Sequence, residues 1–432
     1  MSPLAEAAAA QGFQFVLFSF TDLFGVQRAK LVPAPALEAL EQGGAGFAGF
    51  AAWLDLSPAR GDLLAFPDPA SLMAMPGQPE VGWVASDLVL DGEPLPHCPR
   101  GVLRRQLQRA EAQGLHFHTG VEAEFFLLND EGTALADGRD SRRKPCYDQL
   151  ALMRHYPLIS ELLSALQELG WGPYQADHED ANGQFEINWT FAEALTTADR
   201  HAFFRFLVPW KAEAQGLSAS FRPRPFADLT GNGCHLHHSL WDGSGRNLFH
   251  DPAGELELSA TARHFLGGVL AHAPALCAFT NPTPASYRRL AGARTASGAT
   301  WSPAWISWGA NNRTHMVRVP DGQRLELRLA DGDSNPYLLP AAVLAAGLDG
   351  LERQLDPGTC SLEDLHATPP TNGRPLPRSQ REALAALEAD GVLREALGEA
   401  FCQAYERLLP QRSGPHPLRL HGETTEDLNA RP

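Results

Sequence analysis

Apolar residues recur along this chain with two periods, and the switches between them mark out the elements. Short runs rich in β-branched and aromatic residues, flanked by turn formers, predict strands over 15–20 and 81–90. After a Pro-rich stretch at 91–99, a helical period predicts a helix over 100–113, closed by Gly114. Further helical patterns cover 148–169, 192–215, 259–279, 337–355 and 380–408. Strand-like runs lie between them, at 116–128, 183–191, 234–241, 314–319 and 324–329. This order predicts an α+β protein. The Pro-rich stretch sets the expected boundary between a small domain, 1–96, and a larger one, 97–432.

In a strand, side chains at i, i+2 and i+4 share a face. Glu122 and Glu124 therefore point the same way, as do His235 and His237. Gln184, Glu186 and Asn188 share a face opposite Phe185 and Ile187, and Arg324, Glu326 and Arg328 share one opposite Leu325 and Leu327. A solvated face of an antiparallel sheet would read similarly. It would more commonly carry Lys, Thr or Ser than Glu and His. Carboxylates and an imidazole gathered on one surface repel unless cations neutralise them, and this donor set suits Mg²⁺ or Mn²⁺. Arg313 and Arg318 follow in the segment 311–318, and Arg324 and Arg328 flank Glu326. Arginine forks match phosphate or carboxylate oxygens. Metal-bound carboxylates beside arginines suit polyphosphate binding and phosphoryl transfer.

Composition narrows the reading. The 432 residues carry 35 Lys+Arg against 51 Asp+Glu, a formal charge of −16, which argues against a nucleic-acid partner. Hydrophobic residues make up 44% of the chain, enough for a sizeable core. The six cysteines lie far apart with no C-x-x-C pair, as expected of reduced thiols rather than a disulfide framework or zinc ribbon. No apolar run reaches the ~18–20 residues of a spanning helix, and the first residues have no basic n-region. A cytoplasmic protein without a membrane partner is expected. The chain has no G-x-x-x-x-G-K-[ST] loop, kinase signature set or G-x-G-x-x-G turn, so a nucleotide would be held by the sheet and its metals.

The same residues resemble the glutamine synthetase family. The resemblance runs through GVEAEFFLL (120–128), HEDANGQFEINW (178–189), GNGCHLHHSLWD (231–242), NPTPASYRRL (281–290), NNRTHMVRVP (311–320) and RLELRLADGDSNPYL (324–338). FTDLFGVQRAKLVPA (20–34) and GAGFAGFAAWLDLSP (44–58) resemble its type III, GlnT-like branch, which includes γ-glutamylmethylamide synthetases. The resemblance implies a small N-terminal β-grasp-like domain and a larger catalytic domain with a curved antiparallel sheet. It also implies active sites between the subunits of a homo-oligomeric ring, commonly a dodecamer. The implied activity is ATP-dependent phosphorylation of the γ-carboxylate of L-glutamate, followed by attack of an amine.

By the resemblance, Glu124, Glu179 and Glu186 hold the metal nearer glutamate, and Glu122, His235 and Glu326 the metal on the ATP phosphates, with two or more Mg²⁺ or Mn²⁺ per site. Arg289 pairs with the α-carboxylate of glutamate, and Arg328 reaches its γ-carboxyl end. Glu124, Gly231 and His235 complete the glutamate site, and Gly231 and Gly233 admit close backbone approach. Arg313, Arg318 and Arg324 face phosphate, while His237 and Ser239 lie on the nucleotide-contacting strand. Glu179, Arg289 and Arg313 are the implied catalytic residues.

Some positions depart from the family pattern. Ammonia-using members carry an Asp in an N-terminal D-G-S-S turn and a Glu six residues after the substrate-pairing Arg. Here those positions are Ala48 and Thr295, with Phe50 nearby, and a usual Asn is Thr230. Tyr147 corresponds to a Tyr retained at the ammonium site. Ammonium must be attracted as a cation and deprotonated before it attacks, so losing both carboxylates favours a small alkylamine, methylamine first. Ammonia is the alternative substrate, and a polyamine a further one. A metal-dependent amine or guanidino kinase, and a non-catalytic ring-forming relative, are the competing readings. The Tyr adenylylated in regulated members is replaced by His366, so no such control is expected.

Overall fold

The computed structural model describes residues 1–413 other than 291–294, 296, 298–299 and 371–372. Its first sheet is built entirely from residues 15–94 and has seven strands. Phe15–Thr21 runs antiparallel to Gln27–Pro33 on one side and parallel to Gln78–Leu90 on the other. Leu63–Pro67 and Ala45–Phe47 extend the far edge. A central parallel pair formed by the first and the longest strand, flanked by antiparallel neighbours, is the β-grasp-like arrangement. Helices Pro3–Ala10 and Leu37–Gly43 cover one face, and Leu4, Ala8, Val16, Phe18, Val32, Leu37 and Val84 close a small core beneath them.

The second layer is a six-stranded sheet. Its six strands run in the order Ala192–Glu193, Leu115–Ala123, Cys234–Asp242, Arg324–Leu327, Val317–Asp321, Trp308–Gly309, and every pairing except the last is antiparallel. A four-stranded sheet continues from it: Pro173–His178, Gln184–Trp189, Phe125–Asn129, Leu217–Ser220. Residues 115–129 pass from one sheet to the other, and Glu124 stands at the break. Helices Pro99–Glu111, Ala194–Glu213, Ala260–Ala271 and Leu338–Glu352 back the sheets. Residues 338–350 are buried throughout, which is why that helix reads as apolar on every side.

A buried ion cluster joins the two layers. Arg100, 3% exposed, donates to Asp199 (2.9 Å), Asp87 (3.0 Å) and Asp68 (2.7 Å), and the Tyr337 hydroxyl donates to Asp199. The Asn335 side chain also donates to the backbone carbonyl of Asp22. One continuous apolar core runs from Phe20 and Trp83 through Phe203 to Leu409.

The mixed α+β architecture agrees with the sequence expectation, but several expected elements are divided. The 148–169 helix breaks at His155, ahead of Pro157, and the 259–279 helix breaks at His272, ahead of Pro274. Proline fits a first helical turn but cannot accept the preceding helix's bonding pattern. The 380–408 helix is three helices, divided at Asp390 and at Gly398, whose φ is +102°. Strand 314–319 begins only at Val317. Strands Gln27–Pro33, Leu63–Pro67, Pro173–His178 and Leu217–Ser220 are additions to the expected set. No helix among the described residues is long and apolar enough to cross a membrane. All six cysteines are free thiols.

Candidate active site

Antiparallel register brings the acidic and imidazole side chains together. Cys234–Asp242 pairs with Leu115–Ala123 so that His235 lies opposite Glu122, and with Arg324–Leu327 so that His237 lies opposite Glu326. The His235 Nδ1 is 3.3 Å from Glu122 and 3.7 Å from Glu326, and the His237 Nε2 is 2.9 Å from Glu122. Three groups have ligand atoms within 4.8 Å of one another: Glu124 with Glu179 and Glu186; Glu122 with Glu186 and His235; Glu122 with His237 and Glu326. Glu186 and Glu122 each belong to two groups, so the clusters form one continuous strip.

The electrostatics of that strip are uneven. Burial first, and then repulsion from Glu124, pushes the Glu179 carboxyl well above its ordinary range. Burial and the charges of Glu122 and Glu179 do the same to Glu186. Burial and Glu124 raise Asp177, one strand over, to about 6. Glu122 is half-buried, and hydrogen bonds from His235 and His237 outweigh that burial and hold it well below the usual range. Burial opposes ionisation of Glu326 as well, yet Arg328 and the two histidines bring it to about 2. The glutamate-rich end of the strip thus gathers carboxyls that have no compensating charge, and the Glu326 end is already balanced.

The balance at Glu326 comes from two guanidiniums. Arg318 Nη1 and Arg328 Nη1 each lie 2.5 Å from opposite carboxylate oxygens. Arg318 sits at the matching register position across the strand pair, and Arg328 follows two residues on. Arg324 donates to His237 Nδ1 at 3.1 Å and pairs with Asp321 at the exposed end. Arg313 is exposed, close enough for its charge to depress Arg318, whose ordinary value burial lowers first.

A glycine turn closes the other side. Glu124 Oε2 accepts from the Gly233 amide (2.7 Å) and from the Gln184 side chain (2.9 Å), which also reaches the Gly231 carbonyl and Asn232. Arg289, 4% exposed, donates to the Leu329 carbonyl and lies against the same turn. A Cβ at Gly231 would stand 2.0 Å from the Pro223 carbonyl oxygen, and one at Gly233 within 3.2 Å of His235, Glu124 and Arg289 together. Backbone packing requires glycine at 231, whereas at 233 an added Cβ would crowd only side-chain ends.

A glutamine synthetase catalytic-domain model matches residues 96–410. The chain is 51% identical over 408 residues to a Rhizobium leguminosarum bv. phaseoli protein named glutamine synthetase, covering 94% of each. The chain belongs to the glutamine synthetase family. It is an ATP-dependent carbon–nitrogen ligase of that family. A glutamate–methylamine ligase of Methyloversatilis universalis is 45% identical over 396 residues, 89% of each chain. A solved structure of GmaS with ADP superposes with a TM-score of 0.91 at 55% identity over 95% of each chain.

Within this family member, the strip gathers Glu122, Glu124, Glu186, His235, His237 and Glu326, which strand alternation aligned, and Glu179, which came through the resemblance. The grouping differs from the expected one in detail. His237, on the strand that the resemblance assigns to nucleotide contact, lies closer to Glu122 (2.9 Å) than His235 does (3.3 Å). Ser239 is buried and accepts from the Trp241 indole at 2.9 Å. Arg318 and Arg328 both close on Glu326. Tyr147 is exposed, and its amide donates to the His178 carbonyl just ahead of Glu179. Thr295 bonds to Thr230, while residues 291–294 and 296 of the same loop lie outside the described residues. Sequence reasoning missed Asp180 and Trp301, which meet beside the glycine turn. Asp180 directly follows Glu179, so its position was signalled; the reach of Trp301 was not.

Proposed function

We propose that this ligase phosphorylates the γ-carboxylate of L-glutamate with ATP and joins the activated carbon to methylamine, giving γ-glutamylmethylamide. The observation that carries the choice of amine is that the two carboxylates of ammonia users are replaced at the expected amine pocket. Thr295 stands where the resemblance puts a Glu in ammonia users, and it is held hydroxyl to hydroxyl by Thr230 at 3.2 Å. Ala48 replaces the N-terminal Asp, and Phe50 beside it is 63% exposed. A pocket without those carboxylates gives up attraction for ammonium and accepts a methyl group, a discrimination of ~1–3 kcal/mol.

Glu124, Glu179 and Glu186 would hold one divalent ion, Mg²⁺ or Mn²⁺, and Glu122, Glu326 and His235, with His237 adjacent, a second. The raised carboxyls of Glu179 and Glu186 fit this assignment, because a cation is what such a buried acidic group lacks. Bound ions would neutralise the phosphate oxygens of ATP. Arg313, Arg318 and Arg324 would face those phosphates, beside His237 and Ser239. Arg289 would take the α-carboxylate of glutamate, with Gly231, Glu124 and His235 completing its site, and Arg328 would reach its γ-end. A γ-carboxylate oxygen attacks the terminal phosphorus and ADP leaves. The amine nitrogen then bonds to the acyl carbon, the carbon–oxygen bond to phosphate breaks, and the nitrogen passes a proton to Glu179.

Residues 97–432 would carry this chemistry, and 1–96 would bring the 47–51 segment, with the exposed Phe50 and Trp53, to a neighbouring subunit. A cytoplasmic homo-oligomeric ring, a dodecamer, follows from that reading. One observation favours ammonia instead: relatives 51% and 50% identical bear the name glutamine synthetase. Mass spectrometry of the product formed from ATP, glutamate and Mg²⁺ with ammonia, methylamine, ethylamine or a polyamine tests the reading. Methylamide as the main product supports it; no amide with any amine overturns it.

A further inference from the structure

We propose that Asn312 and Thr314 are positioning residues, a clasp that ties the turn carrying Arg313 to the 361–365 segment and holds that guanidinium ready for the phosphates of ATP. Of the four arginines at the Glu326 end, three are already engaged. Arg318 and Arg328 close on Glu326, and Arg324 bonds to His237 and pairs with Asp321. Arg313 is exposed, and no ion pair is formed by it among the described residues. It is the fork left to meet a phosphate oxygen. A long side chain on an exposed tip loses much freedom when it binds, so a fixed backbone beneath it lowers that cost.

The residues on either side of Arg313 supply that fixity. Asn312 Oδ1 accepts from the Thr314 amide at 3.0 Å and from the Thr314 hydroxyl at 2.8 Å, which closes the turn. The Asn312 side chain then donates to the Glu363 carbonyl at 2.9 Å, and the Thr314 hydroxyl oxygen accepts from the Leu365 amide at 3.1 Å. The 361–365 segment is itself anchored to the edge strand Trp308–Gly309, where the Ser361 amide donates to the Trp308 carbonyl. A Cβ on Gly309 would stand 2.5 Å from the His315 ring and 2.6 Å from the Ser361 carbonyl oxygen, so this anchorage is tightly packed. Asn311, at the start of the same turn, accepts from Arg318 Nε at 2.9 Å, so the clasped turn also seats a second arginine. The inference rests on the proposed phosphate-facing role of Arg313 and adds what holds it in place.

The test is calorimetric binding to the full-length protein, with Mg²⁺, of a non-hydrolysable ATP analogue and, separately, of glutamate. Thr314→Val keeps the shape of the side chain and removes its hydroxyl, so the Kd of the analogue should rise about fivefold, the weight of one hydrogen bond, with the Kd of glutamate unchanged. Thr314→Ser restores the hydroxyl and should restore the affinity. Arg313→Ala should weaken the analogue further, and adding Thr314→Val to it should cost nothing more, because the hydroxyl acts through the guanidinium. If Thr314→Val fails to fold, Asn312→Ala decides by the same comparison. Wild-type affinity for the analogue in Thr314→Val or in Arg313→Ala, or an equal loss from Thr314→Val with and without Arg313, overturns the clasp. The readout needs no turnover: a protein that forms no amide with any amine overturns the proposed ligation, and the binding comparison still decides the clasp.

Discussion

Replacing Gly233 by Ala tests the site at the point where three of its side chains converge. The added Cβ would stand 2.9 Å from His235 Nε2, 3.0 Å from Glu124 Oε1 and 3.2 Å from Arg289 Nη2. Ordinary contact begins nearer ~3.5 Å, so each group must retreat by about 0.5 Å. All three are the ends of side chains, so the fold can absorb the change, and stability should fall by no more than about 0.5 kcal/mol. Activity has less latitude. A misplacement of ~1 Å can cost ~10²-fold, so half of it should lower kcat/KM for glutamate about tenfold, or ~1.4 kcal/mol. Gly231→Ala is the counterpart: its Cβ would meet the Pro223 carbonyl oxygen at 2.0 Å, and backbone cannot swing aside. That variant should lose ~1–3 kcal/mol of stability. Amine-dependent phosphate release and urea unfolding, run on both variants, separate the effects. Wild-type kcat/KM in Gly233→Ala would show that these side chains do not act where the glycine turn brings them.

Two predictions concern the frame around the site. Arg100→Met removes a cation shared by three aspartates: Arg104 still pairs with Asp68 and Asp87, but Asp199, 5% exposed, loses its ion pair with Arg100; urea unfolding should show a loss of ~3–5 kcal/mol, and a loss under ~1 kcal/mol would contradict the reading. His272 lies between Asp390 (2.6 Å) and Asp349 (2.9 Å), and Arg353 also pairs with Asp349. Burial opposes the charged imidazole, but the hydrogen bonds it donates to the two aspartates outweigh it and raise its pKa above the ordinary value. The stabilisation is therefore complete below ~6.5 and is lost as pH rises through the raised folded value. The stability gap between wild type and His272→Gln should narrow on going from pH 6 to pH 9, and a constant gap refutes the charge assignment.

Much of the site was legible because its signal is local. Glu122, His235, His237, Glu186 and Glu326 announce themselves by period-2 alternation, and antiparallel register alone sets His235 opposite Glu122 and His237 opposite Glu326. Helix existence was legible for the same reason, from apolar periodicity. The breaks at His155 and His272 fall beside prolines that a periodic pattern passes over. Strands such as Gln27–Pro33 were hidden because most of their residues are exposed and their polar and apolar residues do not alternate. Contacts across long stretches of chain left no pattern to read. Asp180 meets Trp301 across 121 positions, and Arg100 meets Asp199 across 99. Glu124 is the intermediate case. Alternation gave its direction, but its position between two sheets depends on the glycine turn at 231–233, whose role came through the family resemblance.

The central claim is that this ligase prefers a small alkylamine because its amine pocket lacks the two carboxylates that ammonium needs. Steady-state kcat/KM for methylamine and for ammonia, each counted as the free base, at saturating ATP, glutamate and Mg²⁺, measures that claim directly. The account predicts a ratio above one, up to about 10²-fold in favour of methylamine. A ratio clearly below one would contradict it and make ammonia the substrate.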